Sequence, residues 1–177
     1  MKTNLFVATL SLATLGASAG AFAADGTLTF EGVVSAKTCT LDAASANQTV
    51  VLPSVTTSDF AGAGSVAAAQ PFSLRATGCD AGAVAAAVFA TGNNVDPATG
   101  NLMNTVAGGT DAQIGIFQQD GSTRINLANF GDSASYTAVA DGSNNVVLDF
   151  VAKYVAKNAD TTAGQLRTSI QYTMSYQ

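Results

Sequence analysis

The sequence predicts an all-β sandwich. Short runs in which apolar and polar side chains alternate recur along the chain, and clusters of Gly, Asn, Asp and Thr separate them. The chain has 177 residues, of which 47% are hydrophobic and 11% are charged, and this is the length of one domain. The sequence contains no repeat of fixed period and no Pro/Ser-rich linker, so we expect one sandwich.

Residues 1–23 are predicted to form a secretory signal peptide. Met1 and Lys2 precede an apolar run from Leu5 to Leu15, and the stretch ends in Ala21-Phe22-Ala23, which matches an A-x-A cleavage site. The run is too short to span a bilayer. We therefore expect an exported chain whose mature form begins at Ala24.

Cys39 and Cys79 are the only two cysteines. Because an exported chain reaches an oxidising compartment, an even number of cysteines with none left over predicts one disulfide. The alternative is two separate buried thiols. By closing a loop in the unfolded chain, such a bond would stabilise the fold by about 4 kcal/mol in the chain-entropy model.

Four runs are predicted to be strands from their alternation alone. Every second residue in each run is mainly apolar, so one face of the strand would be buried. In the second run a central Asp-Gly pair accepts the positive φ angles of a tight turn, which predicts a hairpin. The runs are Leu28 to Val34, Ile114 to Leu127 with its turn at Asp120-Gly121, Val146 to Tyr154, and Ile170 to Tyr176.

Two alanine-rich stretches give weaker signals. Ala81 to Ala90 has helix propensity, but Val84, Ala86 and Val88 share one parity, and few residues separate the flanking glycines. We interpret it as a strand whose register is open. Ser58 to Gln70 has no clear period, which predicts a loop with one short helical turn.

The composition offers little catalytic or nucleic-acid-binding chemistry. The chain has no His, and its net charge of −5 gives no basic surface for nucleic acid. All of the 12 acidic residues except Glu31 are Asp, and several precede Gly or Pro, where Asp serves turn geometry. We predict no enzymatic activity, no metal site and no cofactor. Four tyrosines could form a sugar-stacking platform, namely Tyr136, Tyr154, Tyr172 and Tyr176. The alternating strand positions of Tyr154, Tyr172 and Tyr176 favour core packing instead, whereas Tyr136 lies outside the predicted strands and has no assigned role.

Motifs in three parts of the chain carry a family resemblance. The N-terminal part has Phe30-x-Gly32-x-Val34 running into Cys39, the middle has Phe72-x-Leu74 followed by Gly78-Cys79, and the end has Phe150-x-Ala152-x-Tyr154, Gly164, Tyr172 and a penultimate Tyr176. Together with the signal peptide, this combination resembles the chaperone-usher pilins, and specifically the type 1 fimbrial major-subunit family. The resemblance covers essentially the whole mature chain.

The resemblance implies an incomplete immunoglobulin-like β-sandwich, the pilin fold, which a donor strand from a neighbouring subunit completes. Residues 24–38 would be the donor-strand arm and residues 39–177 the pilin domain. Gly32 would lie where the groove has no room for a side chain. The inserted face would be Leu28, Phe30, Val34 and Ala36, and the groove wall would be Ile170, Tyr172, Met174 and Tyr176.

The resemblance also implies partners and a location. The partners would be identical or related pilin subunits, a periplasmic chaperone and an outer-membrane usher, and the assembled fimbria would contact a host surface or glycan. The chain would pass through the periplasm to a fimbria on the bacterial cell surface, with a role in cell adhesion. The alternative from another class is a self-sufficient secreted carbohydrate-binding β-sandwich, which would be stable as a monomer. A tip adhesin is less favoured, because in this family that role usually adds a receptor domain.

Overall fold

The computed structural model describes residues 39–177, which form two antiparallel sheets. The predicted signal peptide and the predicted N-terminal strand lie outside these residues. The strands are β1 (Thr40–Leu41), β2 (Val66–Thr77), β3 (Val84–Phe89), β4 (Gln113–Gln118), β5 (Arg124–Ile125), β6 (Thr137–Val139), β7 (Val146–Val155) and β8 (Tyr172–Tyr176). Two short helices, α1 (Ala43–Ala46) and α2 (Phe130–Ala134), and a 3-10 turn at Thr57–Asp59 complete the elements.

The larger sheet has the strand order β1-β2-β7-β4-β5, and the smaller sheet has the order β6-β3-β8. The prediction of an all-β fold is therefore confirmed. The predicted runs around 114–127, 146–154 and 170–176 correspond to β4 with β5, to β7 and to β8. Neither helix in residues 39–177 has the length and apolar character needed to cross a membrane.

Phe150 of β7 is the centre of the core between the sheets. It is 1% exposed. Its ring stacks on Phe72 at a centroid distance of 5.3 Å, and the edges of Phe89 and Tyr136 approach it at 5.5 Å and 5.3 Å. The alternation seen in the sequence thus places one face of β7 in the core. Tyr136, which lies outside the predicted strands, belongs to this cluster and donates a hydrogen bond to the Asp149 carbonyl at 3.0 Å.

The alanine-rich stretch forms β3, the central strand of the smaller sheet, which confirms the prediction of a strand. Ala85, Ala87 and Phe89 face the core, and both alanines are fully buried. These small side chains leave room between the sheets for the aromatic rings of the larger sheet. α2 packs against β3, and Ser133 Oγ accepts a hydrogen bond from the Phe89 N–H at 3.2 Å.

The predicted loop at 58–70 is partly wrong, because β2 already begins at Val66. The pairing of β2 with β7 shifts between Ala67 and Gln70, and Ala68 has a φ of 52°. A bulge adds one residue to the strand and moves the following side chains to the other face. The alternation is therefore interrupted, which explains why the sequence pattern shows no period here. The predicted short helical turn is present at Thr57–Asp59.

The Cys39–Cys79 disulfide joins the start of β1 to the residues that follow β2. Thr40, which follows Cys39, pairs with Thr77 in the backbone ladder. The disulfide therefore links the same two strands, β1 and β2, that the ladder joins. The predicted pairing is present in the structure. β1 has two residues, and a ladder this short holds little by itself.

Loss of the disulfide is expected to destabilise the domain strongly. The bond encloses a sequence separation of 40 residues. The double variant Cys39→Ala/Cys79→Ala should lose about 4 kcal/mol of unfolding free energy, measured by urea denaturation. Wild-type protein reduced with dithiothreitol is the matched control and should lose a similar amount. A loss below about 1 kcal/mol in both would show that the bond adds little to the β1–β2 ladder.

The segment that leads into β8 lies against the 104–111 loop through polar contacts. Asn104 Nδ2 donates to the Gln165 carbonyl at 2.8 Å, and the Thr105 N–H donates to the Arg167 carbonyl at 2.9 Å. Two glycines allow the backbones to approach this closely. A Cβ atom at Gly164 would lie 2.6 Å from the Thr110 nitrogen, and one at Gly109 would overlap the Gln165 carbonyl.

Gly164→Ala is expected to lower the unfolding free energy by about 2 kcal/mol, because the added methyl group meets backbone atoms that cannot rotate away. Thermal and urea denaturation would measure the loss. Gly92→Ala is the matched control, since its Cβ would enter open space, and it should change stability by no more than about 0.5 kcal/mol. Equal effects of the two variants would contradict the close approach at Gly164.

Candidate functional site

β8 is an edge strand of the smaller sheet. One side pairs with β3, with Tyr172 opposite Phe89 and Tyr176 opposite Ala85. Within residues 39–177 no strand pairs with its other side. A row of backbone N–H and C=O groups is therefore available on this side of β8 for pairing with another strand.

A second segment without backbone partners follows α1. Residues 48–55 make no backbone hydrogen bond to any other described residue. Val50 and Leu52 nevertheless pack against the core, whereas Val51 between them is 74% exposed. The segment thus has the alternation of a strand but no ladder among the described residues.

We call residues 48–55 and the outer side of β8 together the seam, because both lack backbone partners among the described residues. The large apolar side chains along it are only half-buried although they pack against the core. In a complete sandwich, large apolar side chains that pack against the core would be expected to be fully buried. They are Val50, Leu52, Ile170, Tyr172, Met174 and Tyr176.

One hydrogen bond links β8 to α1, the helix that precedes residues 48–55. Tyr172 Oη donates to the carbonyl oxygen of Ser45 in α1 at 2.7 Å. Ser45 Oγ in turn accepts a hydrogen bond from the Arg75 N–H of β2 at 3.0 Å. The start of β8 is thereby linked through α1 to the larger sheet.

Burial raises the pKa of the Tyr172 phenol, and it also raises the pKa of Tyr176, to which the neighbouring Tyr172 adds. Tyrosine in water titrates near pH 10. Both phenols therefore stay neutral at physiological pH. The Tyr172 hydroxyl accordingly keeps the proton that it donates to Ser45.

A cavity of about 360 Å³ lies at the start of β8. Ile170 and Gln171 line it on one side, and the loop from Ala90 to Val95 lines it on the other. The lining combines polar residues such as Asn93 and Asn94 with the apolar residues Val95 and Ile170.

Asp96 fixes the loop that forms the wall of this cavity. Its carboxylate accepts hydrogen bonds from Lys157 Nζ at 3.0 Å, Gln113 Nε2 at 2.7 Å and the Ala98 N–H at 3.0 Å. Asp96 is 5% exposed. The hydrogen bond from Lys157, with that from the Ala98 N–H, lowers the pKa of the Asp96 carboxyl.

Asp96→Asn is expected to destabilise the domain at neutral pH more than in acid. A carboxyl whose pKa is lowered by folding contributes stability above its unfolded pKa of about 3.9, and this contribution is lost as the pH falls through the folded pKa. We expect a loss of about 2 kcal/mol at pH 7, which shrinks below about pH 4, measured by urea denaturation. The exposed Asp160→Asn is the control and should change stability by about 0.5 kcal/mol or less. A deficit of Asp96→Asn that is independent of pH would contradict this role.

The structure brings together the four residues predicted to form the groove wall, which are Ile170, Tyr172, Met174 and Tyr176. The last three occupy β8, and Ile170 precedes it beside the cavity. The predicted arm residues, Leu28, Phe30, Gly32, Val34 and Ala36, lie outside the described residues. Insertion of the arm and the use of the wall as a binding groove remain predictions.

The sequence reasoning missed the other side of the seam. Val50 and Leu52 alternate, but the run is short and ends at Pro53, so it gave no strand signal. Ser45 carried no signal, because its role depends on its backbone carbonyl. The four tyrosines of the alternative sugar platform are all partly buried against the core. In the described residues no group of three or more His, Cys, Asp or Glu side chains is arranged to hold a metal ion.

The described residues form an all-β domain whose C-terminal strand lies at a sheet edge, and comparison with known proteins identifies the class of structural subunit to which it belongs. The sequence model of the family described as fimbrial protein matches residues 28–177. The chain is 34% identical over 174 residues to the F17 fimbrial protein of Escherichia coli, which covers 95% of this chain and 96% of the relative. It is 36% identical over 162 residues to the major fimbrial subunit SMF-1 of Stenotrophomonas maltophilia (strain K279a), which covers 87% of this chain and 94% of the relative.

The fold agrees with these sequence relatives. The crystal structure of the P pilus rod subunit PapA superposes with a TM-score of 0.53 and 18% identity, over 78% of this chain and 99% of PapA. The chain belongs to the fimbrial protein family and has the all-β pilin fold. It is a structural subunit of an exported cell-surface fimbria and assembles with other pilin subunits.

Proposed function

We propose that the chain polymerises head to tail by donor-strand exchange. The observation that carries the proposal is the seam, where residues 48–55 and the outer side of β8 both lack backbone partners among the described residues. One added strand between them would supply partners to both. Binding of this kind takes its affinity from main-chain hydrogen bonds and its specificity from alternate side chains.

The arm at residues 24–38 has the pattern that such a strand needs. Leu28, Phe30 and Val34 share one parity, so all three would enter the seam together. Each would gain about 1.5–3 kcal/mol from burial of its apolar surface. Gly32 lies on the same face and would pass where the core leaves no room for a side chain.

The arm of one subunit would fill the seam of the next. Such a contact is heterologous, because the arm and the seam are different surfaces, and it extends into an open filament. Before assembly the open edge of β8 would be prone to aggregate. A periplasmic chaperone would therefore lend a strand to the seam until the outer-membrane usher exchanges it for the arm. Residues 1–23 would direct export to the periplasm, and the filament would contact a host surface or glycan in cell adhesion.

The arm assignment is tested by moving a charge from one face of the arm to the other. Phe30→Asp should abolish fimbriae on the cell surface, because its carboxylate would be buried in the seam without a partner. Thr29→Asp is the matched control, since it places the same charge on the opposite face, and fimbriae should form. Electron microscopy of cells and gel electrophoresis of surface extracts would measure assembly. Fimbriae assembled from the Phe30→Asp variant would overturn the assignment.

Incompleteness of the domain is tested by adding the arm back as a peptide. A chain that lacks residues 24–36 should gain a large rise in melting temperature from a synthetic peptide of residues 24–38, because the peptide binds only the folded state. A peptide with Asp in place of Phe30 is the control and should give no rise. A truncated chain that is already stable and unaffected by the peptide would favour the self-sufficient carbohydrate-binding module, which a sugar-dependent shift in melting temperature would then support.

A further inference from the structure

Tyr172 Oη donates a hydrogen bond to the Ser45 carbonyl oxygen, and strand exchange by itself does not require this bond. We propose that Tyr172 is a positioning residue that holds β8 and α1, the helix preceding residues 48–55, at the spacing which an incoming strand needs. The inference rests on the proposed function, because it concerns how the same seam stays ready for a donor strand.

This bond is the only hydrogen bond between residues 40–57 and residues 166–177 in the described part of the chain. Its acceptor is well fixed. The Asp42 side chain accepts a hydrogen bond from the Ala44 N–H at 2.8 Å and so caps α1, and Ser45 is 4% exposed. The bond therefore connects β8 to a rigid point on the larger sheet and not to a free loop.

The width of the seam must be controlled in both directions. Two strands that flank a missing strand lie about 9.6 Å apart, which is twice the usual strand spacing. Closing an apolar cleft in water lowers the free energy, because apolar surface is removed from water. The half-buried side chains of Val50, Leu52 and Met174 therefore favour collapse of the seam. Local opening of residues 48–55, which have no ladder, would widen it instead.

The side chain of Tyr172 is suited to act against both movements. It alternates with Met174 and Tyr176 along the core-facing side of β8, so it lies beneath the path of an added strand and need not leave when the strand enters. Its ring packs near Phe89 with centroids 6.4 Å apart, which restricts its motion. A preorganised site binds more tightly because less order is lost on binding.

Tyr172→Phe removes the hydroxyl and keeps the ring. In the exported full chain, held at concentrations too low for polymerisation, it should bind a fluorescent peptide of residues 24–38 about 5- to 10-fold more weakly than wild type. Fluorescence anisotropy would measure the affinity. Hydrogen exchange of the backbone amides at residues 45–47 should become faster, because α1 is released from β8.

Tyr136→Phe is the matched control. Tyr136 also donates to a backbone carbonyl, that of Asp149 at 3.0 Å, but on β7 within the larger sheet. Both variants lose one phenol-to-carbonyl hydrogen bond and should lose similar stability. Only Tyr172→Phe should weaken peptide binding beyond 2-fold and speed exchange in α1.

The outcomes separate this inference from the proposed function. If wild type does not bind the peptide, strand exchange through this seam is wrong, and the inference is overturned with it. If wild type binds the peptide and Tyr172→Phe binds it with the same affinity as Tyr136→Phe, donor-strand exchange stands and Tyr172 contributes only to stability. Unchanged exchange in α1 of Tyr172→Phe would also overturn the positioning role, even if the peptide affinity fell.

Discussion

The unpaired side of β8 is the constraint on which the rest of the structure depends. A sheet edge with half-buried tyrosine and methionine side chains beneath it exposes both polar backbone and apolar surface. In a soluble domain these are liabilities, and natural proteins usually cover them. In the proposed strand exchange they become a binding surface, because the affinity between subunits would come from groups that have no partners among the described residues.

A domain that keeps one edge open must obtain stability elsewhere. The disulfide joins β1 to the end of β2 and makes a two-residue strand a reliable border of the larger sheet. On the other side, the Asn104 and Thr105 contacts hold the segment before β8 through polar groups and the close approach at Gly164. Both devices act next to the seam without filling it. At the centre of the core, Phe150 packs against Phe72, Phe89 and Tyr136, all within the described residues.

The sequence predicted those features that depend on local periodicity. Alternation located β7 and β8, the Asp-Gly pair located the β4–β5 hairpin, and β3 was recognised although alanine favours helices. The start of β2 was lost because the bulge at Ala68 breaks the period. The wall of the seam on β8 could be named by residue, but its other wall could not. Residues 48–55 form no ladder in the described chain, and Ser45 acts through a backbone carbonyl, which no side-chain pattern encodes.

These misses share a physical cause. Sequence patterns indicate which side chains are buried along a helix or strand. The seam is instead defined by backbone groups that have no hydrogen-bond partner among the described residues. Val50 and Leu52 pack against the core as strand residues do, yet their segment has no backbone partners among the described residues. Open edges are therefore recognised by accounting for backbone hydrogen bonds strand by strand. Among the described residues, 48–55 and the outer side of β8 have no backbone partners, and the Tyr172 hydroxyl connects β8 to α1, which precedes residues 48–55.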